Sequence, residues 1–152
     1  MRPQQGGPMH LFAYGTLMCA EIMQQVAGCL PAQGPATLAG FRRCRLRGEE
    51  YPAIVGQPDA VVQGVVYFEV SAAAWQRLDR FEGEMYERRA VQVNGPDGRS
   101  LAADTYVIRP AFAPLLLPAE WSYAEFLHTG RQRFAAGYAG FAALKTGQEA
   151  ER

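Results

Sequence analysis

A carboxylate closing an apolar stripe offers this sequence its clearest chemistry. Between Ser71, a residue of helix N-cap type, and Gly83, the segment 72–82 carries Trp75, Leu78 and Glu82 at i, i+3 and i+7, along one face of a helix. Glu82 is the only charge on that stripe. If the face is buried, the carboxyl must find partners or hold its proton to higher pH than a solvated glutamate does, which suits it to general acid/base work. If Gly83 ends the helix and the last turn swings outward, Glu82 is a solvated terminal glutamate, and this segment taken alone favours that reading. A second segment bears on the first. His10 to Ala13 reads as a short strand running into Tyr14-Gly15-Thr16-Leu17, ahead of a helical stretch over 19–27. Such a turn, with Gly15 easing its sterics, aims successive backbone N–H groups at one point where an anionic group can sit. Gly-Thr turns are common, and this one lacks the further glycines and the lysine of a phosphate loop.

The remaining inventory narrows the chemistry. Glu84 stands two residues beyond Glu82, but nothing else in so short a chain suggests the sugar cleft that a glycosidase carboxylate pair requires. Asp79 borders the apolar stripe and suits positioning the turn or capping a neighbour. Arg88 and Arg89 are placed to pair with Glu84 or Glu87, and exposed pairs contribute little. His10 and His128, with Cys19, Cys29 and Cys44, show no metal-ligand spacing. A cysteine nucleophile partnered in space by one of those histidines is a weak alternative, since an isolated cysteine is mostly packing. No glycine-rich nucleotide fingerprint occurs, so neither metal nor organic cofactor is expected.

These residues need a framework. Val61 to Val70 is the clearest strand, with Val62, Val66, Phe68 and Val70 expected on one face and Gln63, Tyr67 and Glu69 on the other. Gly64 within it marks a bulge, a barrel corner or simply a weaker strand. Before it, 34–46 reads as a long irregular strand and 48–58 as a turn-rich connection. After the Glu82 helix, 85–93 and 101–109 pair across Asn94-Gly95-Pro96-Asp97-Gly98. Pro110 to Pro118 is a linker, and 120–145 a helical tail interrupted near Thr129-Gly130, with Phe134, Tyr138 and Phe141 at packing spacing. The order predicts an α+β domain, a curved mixed sheet closing on itself with a few helices outside. One domain spans 10–146, between a flexible leader at 1–9 and a tail at 147–152.

Composition excludes several classes. Fifteen basic and fifteen acidic side chains cancel, so no global field favours nucleic acid or an anionic membrane. The basic run Phe41 to Arg47 alternates and is answered by Glu49 and Glu50, as a solvated strand face would be. No apolar run reaches membrane-spanning length and the start does not read as a signal peptide. Three cysteines without paired spacing speak against a disulfide framework. A cytoplasmic protein with no nucleic-acid or membrane partner is expected.

Five separated pieces then line up in order: Leu11-Phe12-Ala13-Tyr14-Gly15-Thr16-Leu17, Tyr51-Pro52-Ala53-Ile54-Val55, Gly64-Val65-Val66-Tyr67, Leu78-Asp79-Arg80-Phe81-Glu82-Gly83 and Met85-Tyr86-Glu87-Arg88. Together they resemble the gamma-glutamylcyclotransferase-like (AIG2-like) family over roughly residues 10 to 110. The resemblance implies a small mixed β-barrel with surrounding helices, and a cavity at one end bordered by the Tyr-Gly-Thr-Leu turn. It implies a cofactor-free transferase in which a gamma-glutamyl substrate's α-amino group attacks its own γ-carbonyl, forming 5-oxoproline and releasing the amine. Glu82 is then the general acid/base, and backbone N–H groups at Gly15, Thr16 and Leu17 bind the α-carboxylate or the polarised carbonyl. Tyr14 lines the cavity or packs at the strand end. Tyr86 borders the site and donates its hydroxyl to substrate or Glu82, or is a cross-strand aromatic. Only Gly83, Glu84 and Met85 separate Glu82 from Tyr86, a short connection for this family that leaves the cavity open to bulkier amines. The alternative of another class is a catalytically silent small-molecule binding domain that keeps the cavity.

Overall fold

The computed structural model describes residues 9–150, with side chains as far as Leu144. The expected leader, apart from Met9, and the last two residues of the expected tail lie outside the described residues. Five strands, β1 (Met9–Ala13), β2 (Gln33–Arg45), β3 (Pro52–Val70), β4 (Tyr86–Asn94) and β5 (Ser100–Ile108), form a closed barrel in the order β1-β3-β2-β4-β5. The α+β fold read from the order of elements, and the small barrel that the resemblance implies, are the fold observed. Long antiparallel ladders join β2 to β3 and β4 to β5. The Asn94–Gly98 turn closes the second hairpin, with Gly95 N–H donating to the Arg99 carbonyl and Gly98 in the left-handed region at φ 82°.

Two seams complete the closure. β2 meets β4 at Thr37 and Asn94, and β1 runs parallel to β5 with Leu11 opposite Asp104. Side chains reinforce the second seam: the Thr105 hydroxyl donates to the Phe12 carbonyl at 2.8 Å, and the Tyr14 hydroxyl to the Tyr106 carbonyl at 2.6 Å.

The core has two layers. Phe12, Leu38, Ile54, Val66, Val93 and Val107, drawn from all five strands, pack inside the barrel. A second cluster packs between the barrel's outer wall and helices α1 (Ala20–Ala27) and α2 (Ala72–Glu82), joined by the tail aromatics. Burial on both faces corrects the reading of β3: Tyr67, expected on the polar face, is fully buried and donates to the Leu17 carbonyl at 2.6 Å. The bulge lies at Glu69 (φ 56°), where Met9 faces Val70 but Leu11 faces Tyr67, and it turns Val70 into the outer cluster, away from Val66. Pairing runs unbroken through Gly64, which is required for a different reason: a Cβ there would strike the Ala13 carbonyl and the Phe12 ring of β1.

Three further expectations change. The connection read over 48–58 is strand from Pro52 onward, leaving the turn to Gly48 (φ 76°) and its neighbours. The linker at Pro110 coils into a 3-10 helix over Pro110–Leu115. The tail stays helical through Thr129-Gly130 as a π turn, Phe126–Gly130, and breaks instead at Tyr138 (ψ 126°), between α3 (Arg131–Gly137) and α4 (Ala139–Ala150). That break leaves Tyr138 free to reach the end of α2.

Candidate active site

Helix α2 begins as read from the sequence, with the Ser71 hydroxyl accepting from Ala74 N–H at 3.1 Å. Trp75, Leu78 and Phe81 are buried, and Gly83 (φ 76°) stops the helix with its N–H on the Asp79 carbonyl. Glu82 does not swing into water. Its helix end is pinned by the Tyr138 hydroxyl, which donates to the carbonyls of Phe81 (2.8 Å) and Glu82 (3.1 Å). Helix α4 comes so near that a Cβ on Gly140 would collide with the Phe81 carbonyl. Glu82 is thereby held in the wall of a narrow cleft enclosing about 420 Å³, mouth included.

Tyr14, Gly15, Thr16, Leu17, Glu82 and Tyr86, the residues singled out from the sequence, all line this one cleft. Thr16 to Met18 form a single 3-10 turn whose Met18 and Cys19 N–H groups close onto the carbonyls of Gly15 and Thr16. Among the described residues, no backbone carbonyl takes up the N–H groups of Gly15, Thr16 and Leu17. Gly15 has φ −131°, so the turn does not need glycine for a left-handed backbone; it needs it because an added Cβ would lie 2.8 Å from the Pro52 ring. Arg43 braces the turn, donating to the Tyr14 carbonyl at 2.9 Å and to the Gln63 carbonyl at 3.1 Å. That side chain is 12% exposed and lies over the Trp121 ring, so it does not belong to the solvated basic face expected for this run.

Five tyrosines surround Glu82 closely enough to feel its charge: Tyr14, Tyr51, Tyr86, Tyr106 and Tyr138. Each hydroxyl proton is committed elsewhere. Tyr14 and Tyr138 donate to carbonyls as described, Tyr106 to Asp79 Oδ1 at 2.6 Å, and Tyr51 is hydrogen-bonded to Glu49. Tyr86 donates to the Pro52 carbonyl at 2.7 Å, not to Glu82 as one expectation had it. Among the described residues no donor and no cation reaches the Glu82 carboxyl. The residue keeps some solvent contact through the cleft mouth, yet the surroundings of its carboxyl are mostly protein. Burial, with a smaller push from the charge of Asp79, therefore raises it from the usual carboxylate range to about 8. Burial likewise raises all five tyrosines, which stay protonated.

A carboxyl poised near neutrality beside a row of unclaimed N–H groups can move a proton while an anionic group is held against the backbone. Neither cysteine nor histidine lines the cleft, so the nucleophile alternative has no place there. Arg88 pairs with Asp79 (3.5 Å) and Asp104 (3.9 Å), in place of the Glu84 or Glu87 expected from sequence proximity. Tyr51, Tyr106, Phe134 and Tyr138 complete the wall and were not identified as site residues from the sequence. Tyr51 lay within a matched piece, and Phe134 and Tyr138 within the aromatic spacing assigned to packing; Tyr106 carried no signal beyond strand alternation.

Comparison with known proteins agrees with this architecture. The family model described as "Gamma-glutamyl cyclotransferase, AIG2-like" matches residues 11–123. AIG2-like protein C of Arabidopsis thaliana is 32% identical over 125 residues, covering 82% of this chain and 72% of that protein. The crystal structure of a Mus musculus AIG2-like protein superposes with a TM-score of 0.62 at 25% identity, over 80% of this chain and 92% of the other. A yeast gamma-glutamyl cyclotransferase specific to glutathione shares the fold, with a TM-score of 0.59 at 15% identity over 95% of this chain and 97% of the other. Fold, ordered motifs and family match lead to one assignment: the chain belongs to the gamma-glutamyl cyclotransferase, AIG2-like family.

Proposed function

We propose that this protein is a cofactor-free gamma-glutamyl cyclotransferase. The observation that carries the proposal is Glu82, a carboxyl raised to about 8 in a tyrosine-walled cleft that the Gly15–Leu17 turn, with its unclaimed N–H groups, also lines. The substrate's α-nitrogen attacks its γ-carbonyl carbon, the ring C–N bond forms, and the bond to the departing amine breaks. The ionised form of Glu82 accepts the proton lost by the attacking nitrogen and returns it to the leaving nitrogen, so it ends the cycle as it began. The turn's N–H groups receive the α-carboxylate or the polarised carbonyl oxygen; as fixed dipoles they need little reorganisation during the reaction. The aromatic walls hold the glutamyl chain curled, which makes attack effectively intramolecular in a selected geometry.

The test is 5-oxoproline release from a panel of gamma-glutamyl amines, dipeptides and glutathione, with wild type and folded Glu82→Gln compared. Release that disappears in the variant supports the proposal and identifies the amine. Wild type that binds 5-oxoproline yet releases none from any substrate supports a silent binding domain instead.

A further inference from the structure

Asp79, Arg88 and the hydroxyl of Tyr106 form a connected group to which the reaction above gives no part. Asp79 lies one helical turn before Glu82 on α2, at i and i+3, so the two carboxyls project from neighbouring positions on the helix surface. Asp79 is fixed from two other elements. The Tyr106 hydroxyl of β5, itself in the cleft wall, donates to Asp79 Oδ1 at 2.6 Å, and Arg88 Nε of β4 lies 3.5 Å from the same oxygen. Arg88 is in turn held by Asp104 at 3.9 Å and by the Trp75 ring, 4.3 Å from its guanidinium carbon to the centroid. A half-exposed aspartate with this many restraints is not a loose surface charge.

The geometry points to Asp79 as a positioning residue for Glu82, its carboxylate locked by Tyr106 and tempered by Arg88 so that a fixed negative charge keeps the proton on Glu82 in the resting site. The ionisable groups facing Glu82 are otherwise the five tyrosine hydroxyls, all protonated, so Asp79 is the charged neighbour that acts on it. Tyr106 couples the two sides: it touches the cleft with its ring and Asp79 with its hydroxyl. Loss of Asp79 removes the repulsion that opposes ionisation of Glu82, and loss of Arg88 exposes Glu82 to the full charge of Asp79.

This inference rests on the proposed role of Glu82 only for its bearing on catalysis, and its test needs no substrate. The Glu82 carboxyl is titrated by 13C NMR in the full chain with labelled glutamate, its resonance assigned by absence in Glu82→Gln. Asp79→Asn keeps an acceptor for Tyr106 and is expected to lower the Glu82 midpoint by roughly half a pH unit or more. Asp79→Glu, which keeps the charge, is expected to restore most of the shift, and Arg88→Gln to move the midpoint upward. A midpoint unmoved or raised in Asp79→Asn overturns the inference. If Asp79→Asn does not fold, Arg88→Gln decides: an upward shift supports it, an unmoved or lowered midpoint overturns it. Where wild type releases 5-oxoproline, the acid limb of kcat/KM is expected to shift with the same signs. A wild type that releases none counts against the cyclotransferase proposal alone, because the NMR midpoint is read either way.

Discussion

The Tyr138 hydroxyl sits 2.8 Å from the Phe81 carbonyl and 3.1 Å from that of Glu82, so a residue of the C-terminal tail holds the backbone of the proposed acid/base. Removing that hydroxyl takes a donor from two carbonyls at the helix end. Tyr138→Phe is expected to cost about 1 kcal/mol of stability by urea denaturation. Its kcat is expected to fall about tenfold with KM changed less, because the carboxyl is displaced more than the binding turn.

Glu82→Gln keeps the shape of the side chain and abolishes proton transfer. Turnover is expected to drop by about 10²- to 10⁴-fold, with near-ultraviolet circular dichroism unchanged. In wild type the base is the ionised form, whose population grows as pH rises towards about 8. The contribution of this carboxyl to kcat/KM should therefore climb up to tenfold per unit below that value and level off above it. A profile already flat from pH 5 to 7 contradicts the assignment.

The same carboxyl governs how stability varies with pH. Its folded value of about 8 stands above the ordinary 4.5, so between those limits the folded chain holds a proton that the unfolded chain has released. Stability from this group is full below about 4.5 and is lost as pH rises through 8, at up to about 1.4 kcal/mol per unit. Glu82→Gln is free of that loss. Chemical denaturation of both proteins from pH 5 to 9 should show the variant gaining on wild type up to about 8, with no further gain beyond.

Gly15→Ala tests the turn. The new methyl would lie 2.8 to 2.9 Å from two carbons of the Pro52 ring, whose carbonyl is already engaged by Tyr86. Expected costs are about 1 to 3 kcal/mol of stability and a raised KM, as the turn is pushed into the cleft. Calorimetry with parallel kinetics checks both.

Most of the strands were legible along the chain because turn residues separate them, and the Glu82 stripe was legible because its anchors lie within one helix. Alternation misled where the barrel is covered on both sides: inside by its own core and outside by helices, so Tyr67 is as buried as Val66. Arg43 read as solvated for a related reason. Its partners, the carbonyls of Tyr14 and Gln63, lie 29 and 20 residues away in the chain and meet it only in the folded sheet. The rest of the tyrosine wall was hidden because Tyr51, Tyr106 and Tyr138 come from separate segments, each resembling ordinary packing until the chain brings them round one carboxyl.

The β1–β5 seam bears on how such a domain keeps its sheet closed while carrying a hole. An open sheet that parts to admit a ligand presents unpaired main chain, which invites pairing with another molecule. Here the wall next to the cleft is tied by the hydroxyls of Thr105 and Tyr14 where main-chain pairing is sparse. The barrel thus makes room for a small molecule at a stitch between strands while its sheet stays closed on itself.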